Sequence, residues 1–241
     1  MDYAKLISDK MKTVKPSAVR EIFKVAGQPD VISFAGGLPA PESFPVAEIK
    51  AICDDILTNE PITALQYGIS EGYAPLKQLV LERMKRKENI GTDNDDIIIV
   101  SGSQQGCDLT AKVLLNEGDG VVCEEPSFIG CLNTFRTYNA KLYGVPMNED
   151  GMDLNILEDT LKKNPNIKLI YTIPTFQNPS GITSSLAVRK GILQLAQQYN
   201  VAILEDNPYG ELRFSGESIP TIKSMDTTGN VLYLGSFSKV F

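Results

Sequence analysis

The chain has 241 residues, 42% of them hydrophobic, a formal net charge of −7 and no histidine. The missing imidazole excludes Ser-His-Asp and Cys-His catalysis, HExxH zinc sites and every histidine base, so any chemistry must rest on Lys, Asp, Glu, Tyr or a cofactor. An acidic balance without a Lys/Arg run carries no electrostatic footprint for nucleic acid, and no apolar stretch is long enough for a membrane span, which leaves small molecules as the expected partners.

The opening MDYAKLISDKMK is charged and amphipathic and lacks a signal-peptide core, so the expected location is the cytoplasm. The pattern predicts a polar helix there and a second over residues 16–25 capped by Ser17. The Gly/Pro-rich stretch FAGGLPAPESFP that follows reads as an arm. Two helical patterns come next, over 46–57 and 75–87, joined by ALQYGISEGY; the second is strongly charged and surface-facing. Four cysteines, Cys53, Cys107, Cys123 and Cys131, lack CxxC spacing and read as buried free thiols, with no metal site among them.

Beyond Asn94 short apolar runs alternate with helical patterns. The runs are IIIV at 97–100, VVC at 121–123, KLYGVP at 141–146, LIYTIP at 169–174, VAILE at 201–205 and VLYLG at 231–235. Helices are predicted between them over 104–115, 128–138, 154–163 and 185–199. This rhythm predicts an α/β domain with a mostly parallel sheet.

Ligands of open α/β sheets sit beyond the carboxyl ends of the strands, so the residues after each run carry the functional question. SGSQQG after the first run offers backbone N–H groups and a helix dipole to an anion, or is an ordinary turn capped by Ser103. TFQNPSG either aims the Asn178 amide into a cleft or is plain turn chemistry. Asp206 in EDNPYG, three residues before Tyr209, wants a cationic partner if buried and none if exposed. Lys239 in SFSK, beside Ser236 and Ser238, is a surface lysine by default and a nucleophilic amine if it shares an edge with Asp206 and Asn178.

Taken in order, PSAVREI, FAGGLPAPESFP, LQYG, SGSQQG, EEPSF, PTFQNPSG, LEDNPYG and GSFSK resemble the fold-type-I pyridoxal-phosphate enzymes, the aspartate-aminotransferase fold. The resemblance is strongest to the branch with 2-aminoadipate and kynurenine aminotransferases. It implies residues 1–45 as an N-terminal arm and helix of a small domain, and 46–241 as a large cofactor-binding domain, incomplete at its C-terminal side. It implies that Lys239 forms the imine with the cofactor aldehyde and then acts as base, and that Asp206 pairs with the pyridine nitrogen. Asn178 and Tyr209 would donate to the ring's phenolic oxygen, and Phe128 would stack on the ring. Ser103, Gln104, Ser236 and Ser238 would hold the phosphate, with Tyr67 reaching the cofactor of a neighbouring subunit in a homodimer. Arg20, Gly36, Gly37 and Asn178 would meet the substrate.

The implied reaction moves an amino group between an amino acid and a 2-oxo acid. Another reaction at Cα, such as elimination or decarboxylation, is the nearest rival on this scaffold. A non-catalytic remnant, or a sensor like regulators that carry this domain behind a helix-turn-helix, is the rival of a different class. Relatives continue past the lysine to an arginine on the phosphate, a second arginine on the substrate carboxylate, and a strand between the first and last runs above. The chain is therefore expected to be truncated, with a gap in its sheet, and inactive alone.

Overall fold

The computed structural model describes residues 1–14, 30–32 and 39–241. The chain divides into two units, one of Met1–Lys15 with Lys77–Phe241 and one of Pro16–Leu76. Within the described part of the second unit, a 3-10 turn at Pro41–Ser43 precedes helix α1 (Val46–Asn59) and the short helix α2 (Pro61–Leu65). Pro61 opens α2, where a proline's missing N–H removes no helical bond. Ile49, Ile52 and Ile56 are exposed along α1, and Cys53 is exposed too, which corrects its expected burial.

Helix α3 (Ala74–Glu88) buries no residue and bears the expected charged face. In the first unit, the polar N-terminal helix expected from sequence is instead two 3-10 turns, Tyr3–Lys5 and Asp9–Thr13. This short segment of mixed charge offers no apolar stripe long enough to offset the cost of helix nucleation.

The remaining helices are α4 (Gly102–Leu114), α5 (Ile129–Thr137), α6 (Leu154–Lys163), α7 (Leu186–Tyr199) and the short α8 (Ile222–Met225). They surround strands β1 (Gly120–Glu125), β2 (Lys141–Asn148), β3 (Gly151–Met152), β4 (Ile167–Thr172), β5 (Ala202–Asn207) and β6 (Val231–Gly235). The sheet runs β3-β2-β1-β4-β5-β6, parallel throughout except for the antiparallel β3.

Strand periodicity divides the core between the two faces. Val122, Ile170, Ile203 and Val231 pack with Leu157, Val188, Ile192 and Ile222 of α6, α7 and α8. Val121, Cys123, Leu169, Tyr171 and Leu204 pack with Cys107, Ala111, Cys131 and Phe135 of α4 and α5. Ser185 caps α7 by accepting from the Val188 N–H, and the helix ends at Asn200 in the left-handed conformation.

Two expectations are corrected here. Residues 97–100 form no strand; Ile98 is 52% exposed, and the run pairs with no strand among the described residues. Its composition suits a strand, but a strand exists only in a ladder, and β6 ends the described sheet without a further neighbour. Ser103 is not a cap: Ser101 is the N-cap residue, without a side-chain cap bond, and Gly102 (φ 76°) turns the chain into the helix before Ser103.

Candidate active site

The parallel strands carry Asp206, Asn207 and the segment after Gly235 to one carboxyl edge. The register pairs Asp206 with Leu234 and Asn207 with Gly235, so Ser236, Ser238 and Lys239 leave the sheet beside the end of β5. Asp206 lies inside β5, two residues after Leu204, and therefore faces the α4/α5 side. It is only 3% exposed. Oδ2 accepts a hydrogen bond from the Tyr171 hydroxyl at 3.0 Å, and Oδ1, fully buried, has no partner among the described residues. Burial pushes the carboxyl up to about 6, against the Tyr171 bond, which lowers it.

Helix α4 brings its N-terminus to the same end. A Cβ on Gly106 would lie 2.6 Å from Leu234 Cδ2, so the second turn of α4 lies hard against the end of β6. The first-turn N–H groups of a helix have no intrahelical acceptor, and this end has no side-chain cap. Ser103 is half-buried there. The Gln104 side chain is engaged elsewhere, its Nε2 donating to Thr134 Oγ1 at 2.6 Å and to the Gly130 carbonyl at 3.3 Å. What Gln104 retains for an anion is its backbone N–H.

Phe128 immediately precedes α5 as its N-cap residue. The Asn178 amide donates to the Tyr209 hydroxyl at 3.1 Å, which brings those two residues together across a sequence separation of 31. Lys239 is exposed and makes no hydrogen bond or ion pair with the described residues. The Ser238 N–H donates to Ser236 Oγ at 3.1 Å. Tyr67 belongs to the other unit, where it is 99% exposed. Arg20, Gly36 and Gly37 lie outside the described residues.

Several buried groups here carried no role in the sequence reading. Tyr171 is one. Glu124, at the end of β1, accepts from Thr172 Oγ1, from the Ile173 N–H and from Gln177 Nε2. Burial pushes it up to about 7, with those donors pulling the other way and the nearby Asp206 adding to the rise. Glu205, on the opposite face from Asp206, accepts the Ile222 and Lys223 N–H groups and is also held at about 7 by burial. Arg189 is fully buried and donates to the carbonyls of Pro174, Ser184, Ile219 and Pro220 and to Thr175 Oγ1. The available signal was a charged or amide residue inside EEPSF, TFQNPSG or an apolar helix face; its partners, far away in sequence, carried none.

A buried acid and a helix N-terminus at the carboxyl edge of a mostly parallel sheet are the frame of the fold-type-I enzymes that use pyridoxal phosphate, and solved structures of that class match this chain throughout. The chain belongs to the aminotransferase class I and II family, whose model matches residues 30–241. It is 44% identical to aromatic-amino-acid aminotransferase 1 of Thermococcus litoralis over 100% of this chain and 58% of that protein. The crystal structure of Pyrococcus horikoshii kynurenine aminotransferase in complex with PMP, KYN and KYA superimposes with a TM-score of 0.92 at 41% identity, covering 100% of this chain and 60% of that one. LysN, the alpha-aminoadipate aminotransferase of Thermus thermophilus, solved with N-(5'-phosphopyridoxyl)-L-leucine, gives 0.86 at 37% identity, covering 100% and 60%. The chain thus spans about 60% of the length of the relatives it matches.

Pyridoxal phosphate is the cofactor this family implies, and the residues present fit it. Asp206 Oδ1 is a buried carboxylate oxygen lacking a donor, which a protonated ring nitrogen would supply. The uncapped start of α4 and the Ser236 and Ser238 hydroxyls are chemically suited to a phosphate. Among the described residues no group of His, Cys, Asp and Glu could hold a metal ion, and no helix is long and apolar enough to cross a membrane.

Proposed function

We propose that the chain supplies the cofactor-holding part of an aminotransferase that moves an amino group between an amino acid of the 2-aminoadipate, aromatic or branched type and a 2-oxo acid. It works as a cytoplasmic homodimer to which Tyr67 contributes across the subunit boundary. The observation that carries this reading is the open oxygen of the buried Asp206 at the same sheet edge as the segment that bears Lys239. The relatives' activities toward aromatic amino acids, kynurenine and 2-aminoadipate support the aromatic and 2-aminoadipate types.

Pyridoxal phosphate, when bound, supplies an aldehyde that takes up amines and a ring that accepts the electron pair left at the substrate's Cα. Asp206 holds a proton on the ring nitrogen, a role for which its surroundings are already built: Tyr171 fixes one oxygen and leaves the other free. Asn178 and Tyr209, mutually hydrogen-bonded, orient their donors together toward the phenolic oxygen. Ser103, the Gln104 N–H, Ser236 and Ser238 bind the phosphate, and Phe128 covers a ring face and excludes water. Lys239 provides the amine that anchors the aldehyde carbon and, when released, the base that carries the proton from Cα. Arg20, Gly36 and Gly37, outside the described residues, would meet the substrate.

The test is borohydride reduction of the protein with added pyridoxal phosphate, followed by peptide mass mapping. The cofactor is expected on the Lys239 peptide, and Lys239→Ala removes both the label and the visible absorbance. A label fixed on any other lysine refutes the assignment. In the whole aminotransferase of which this chain is proposed to be a part, Asp206→Ala is expected to retain some cofactor and lose turnover. Scoring products for keto acid against ammonia or carbon dioxide separates amino-group transfer from elimination and decarboxylation.

A further inference from the structure

Two loops carry the residues assigned to the ring: the turn after β1 carries Phe128, and the turn after β4 carries Asn178. The buried side chain of Gln177 joins their middles. Gln177, 1% exposed, donates through Nε2 to the Pro126 carbonyl at 2.8 Å and to Glu124 Oε2 at 3.1 Å, both belonging to the first loop and its strand. Its Oε1 accepts from the Ser180 N–H at 2.9 Å and from Ser180 Oγ at 2.7 Å, both in the second loop. Its own N–H donates to the Ile182 carbonyl at 2.9 Å, and its carbonyl accepts from the Gly181 N–H. Every polar atom of Gln177 is therefore engaged, half of the side chain by each loop.

We propose that Gln177, held by Glu124, is a positioning residue that sets the spacing between Phe128 and Asn178. Its effect on the cofactor rests on the ring-contact reading of those two residues; the link between the loops does not. Glu124 makes the arrangement one-way. Both its oxygens accept, from Thr172, Ile173 and Gln177, so Gln177 must turn its NH2 toward β1 and its oxygen toward Ser180. A flipped amide would set oxygen against the Glu124 carboxylate and the Pro126 carbonyl, and NH2 against the Ser180 N–H. Asn178 follows Gln177 directly and Phe128 lies two residues beyond Pro126, so a shift of Gln177 reaches both within two residues. Arg189 holds the outer ends of the second loop at Pro174, Thr175 and Ser184, and Gln177 ties its middle to the first loop.

The first measurement uses the cofactor-free chain. Gln177→Leu keeps the volume and removes the side-chain bonds. Amide hydrogen exchange is expected to quicken together in residues 180–182 and 127–132 and to stay unchanged in residues 202–207. Acceleration confined to one loop, or absent from both, overturns the proposal. Should Gln177→Leu fail to fold, Gln177→Met, unbranched and of similar length but unable to make the four side-chain bonds, gives the same readout. The second measurement is pyridoxal 5'-phosphate affinity by absorbance titration. Gln177→Leu and Asn178→Ala are each expected to weaken binding about 10-fold, the equivalent of one lost hydrogen bond, and the double variant no further than either alone. A double variant weakened by the product of the two single effects overturns positioning. If Asn178→Ala leaves affinity unchanged while both loops respond in exchange, the ring contact of Asn178 fails and the link through Gln177 stands.

Discussion

Tyr171→Phe isolates the single donor that the structure gives to Asp206. The ring is fully buried, edge-on to Phe135 at a centroid distance of 5.6 Å, and Phe retains that packing. Only the hydroxyl 3.0 Å from Asp206 Oδ2 is lost. A hydrogen bond to an ionised acceptor contributes about 1.5–3 kcal/mol. At about 1.4 kcal/mol per pH unit, Asp206 in the cofactor-free chain should climb from about 6 to about 7–8. Its folded value lies above its unfolded one, so the stability contribution is full below about pH 4 and is lost as pH rises through the folded value. The variant loses stability over a longer range. Urea unfolding of the two cofactor-free chains should therefore differ by about 1.5–2.5 kcal/mol at pH 8 and converge toward pH 4. A difference that stays the same from pH 4 to pH 8 would show that the hydroxyl acts through packing and not through the charge on Asp206.

Arg189→Met leaves the carbonyls of Pro174, Ser184, Ile219 and Pro220 without their buried donor, and urea unfolding should register a loss of about 3–5 kcal/mol. Lysine at this position is expected to recover little of it, since one ammonium cannot reproduce the guanidinium's spread of donors; full recovery by Arg189→Lys would refute the clamp. Ser185→Ala removes the acceptor of the Val188 N–H at the start of α7 and should cost about 1 kcal/mol by thermal or urea unfolding.

Much of the sheet could be read directly from the alternation of apolar runs. β1, β2, β4, β5 and β6 fall on their predicted runs; β1, β4 and β5 are buried along most of their length, which favours the apolar runs that mark them. Residues 97–100 have the same composition and form none, since composition supplies the side chains of a strand but not its ladder partner. The helix at SGSQQG was expected two residues late because Gly102 was read as part of a turn instead of as the left-handed step that starts it. Asn178 and Tyr209 were named from motif order, and the fold brings them within a hydrogen bond. Tyr171 and Gln177 could not be found that way. Tyr171 reads as one more aromatic in an apolar run, and its partner lies 35 residues on. Gln177 reads as turn chemistry, and its acceptor Glu124 lies 53 residues back.

The buried acids at the strand ends differ in how completely the fold pairs them, which supports the role proposed for Asp206. All three are pushed upward by burial, Glu124 and Glu205 to about 7 and Asp206 to about 6. Glu124 and Glu205 have donors on both oxygens, drawn from β4, its following loop and the start of α8. Those bonds tie elements together and are complete. Among the described residues Asp206 has one donor and one open oxygen, an arrangement that costs stability in the free chain at neutral pH and that a donor from a ligand would relieve. Glu205 and Asp206 are adjacent, so the alternation of a strand alone sends one to the helix side that satisfies it and the other to the side where α4 begins and the segment toward Lys239 leaves the sheet. A one-residue slip of β5 would exchange their roles, which makes the register of β5 against β6 the structural decision on which the site depends.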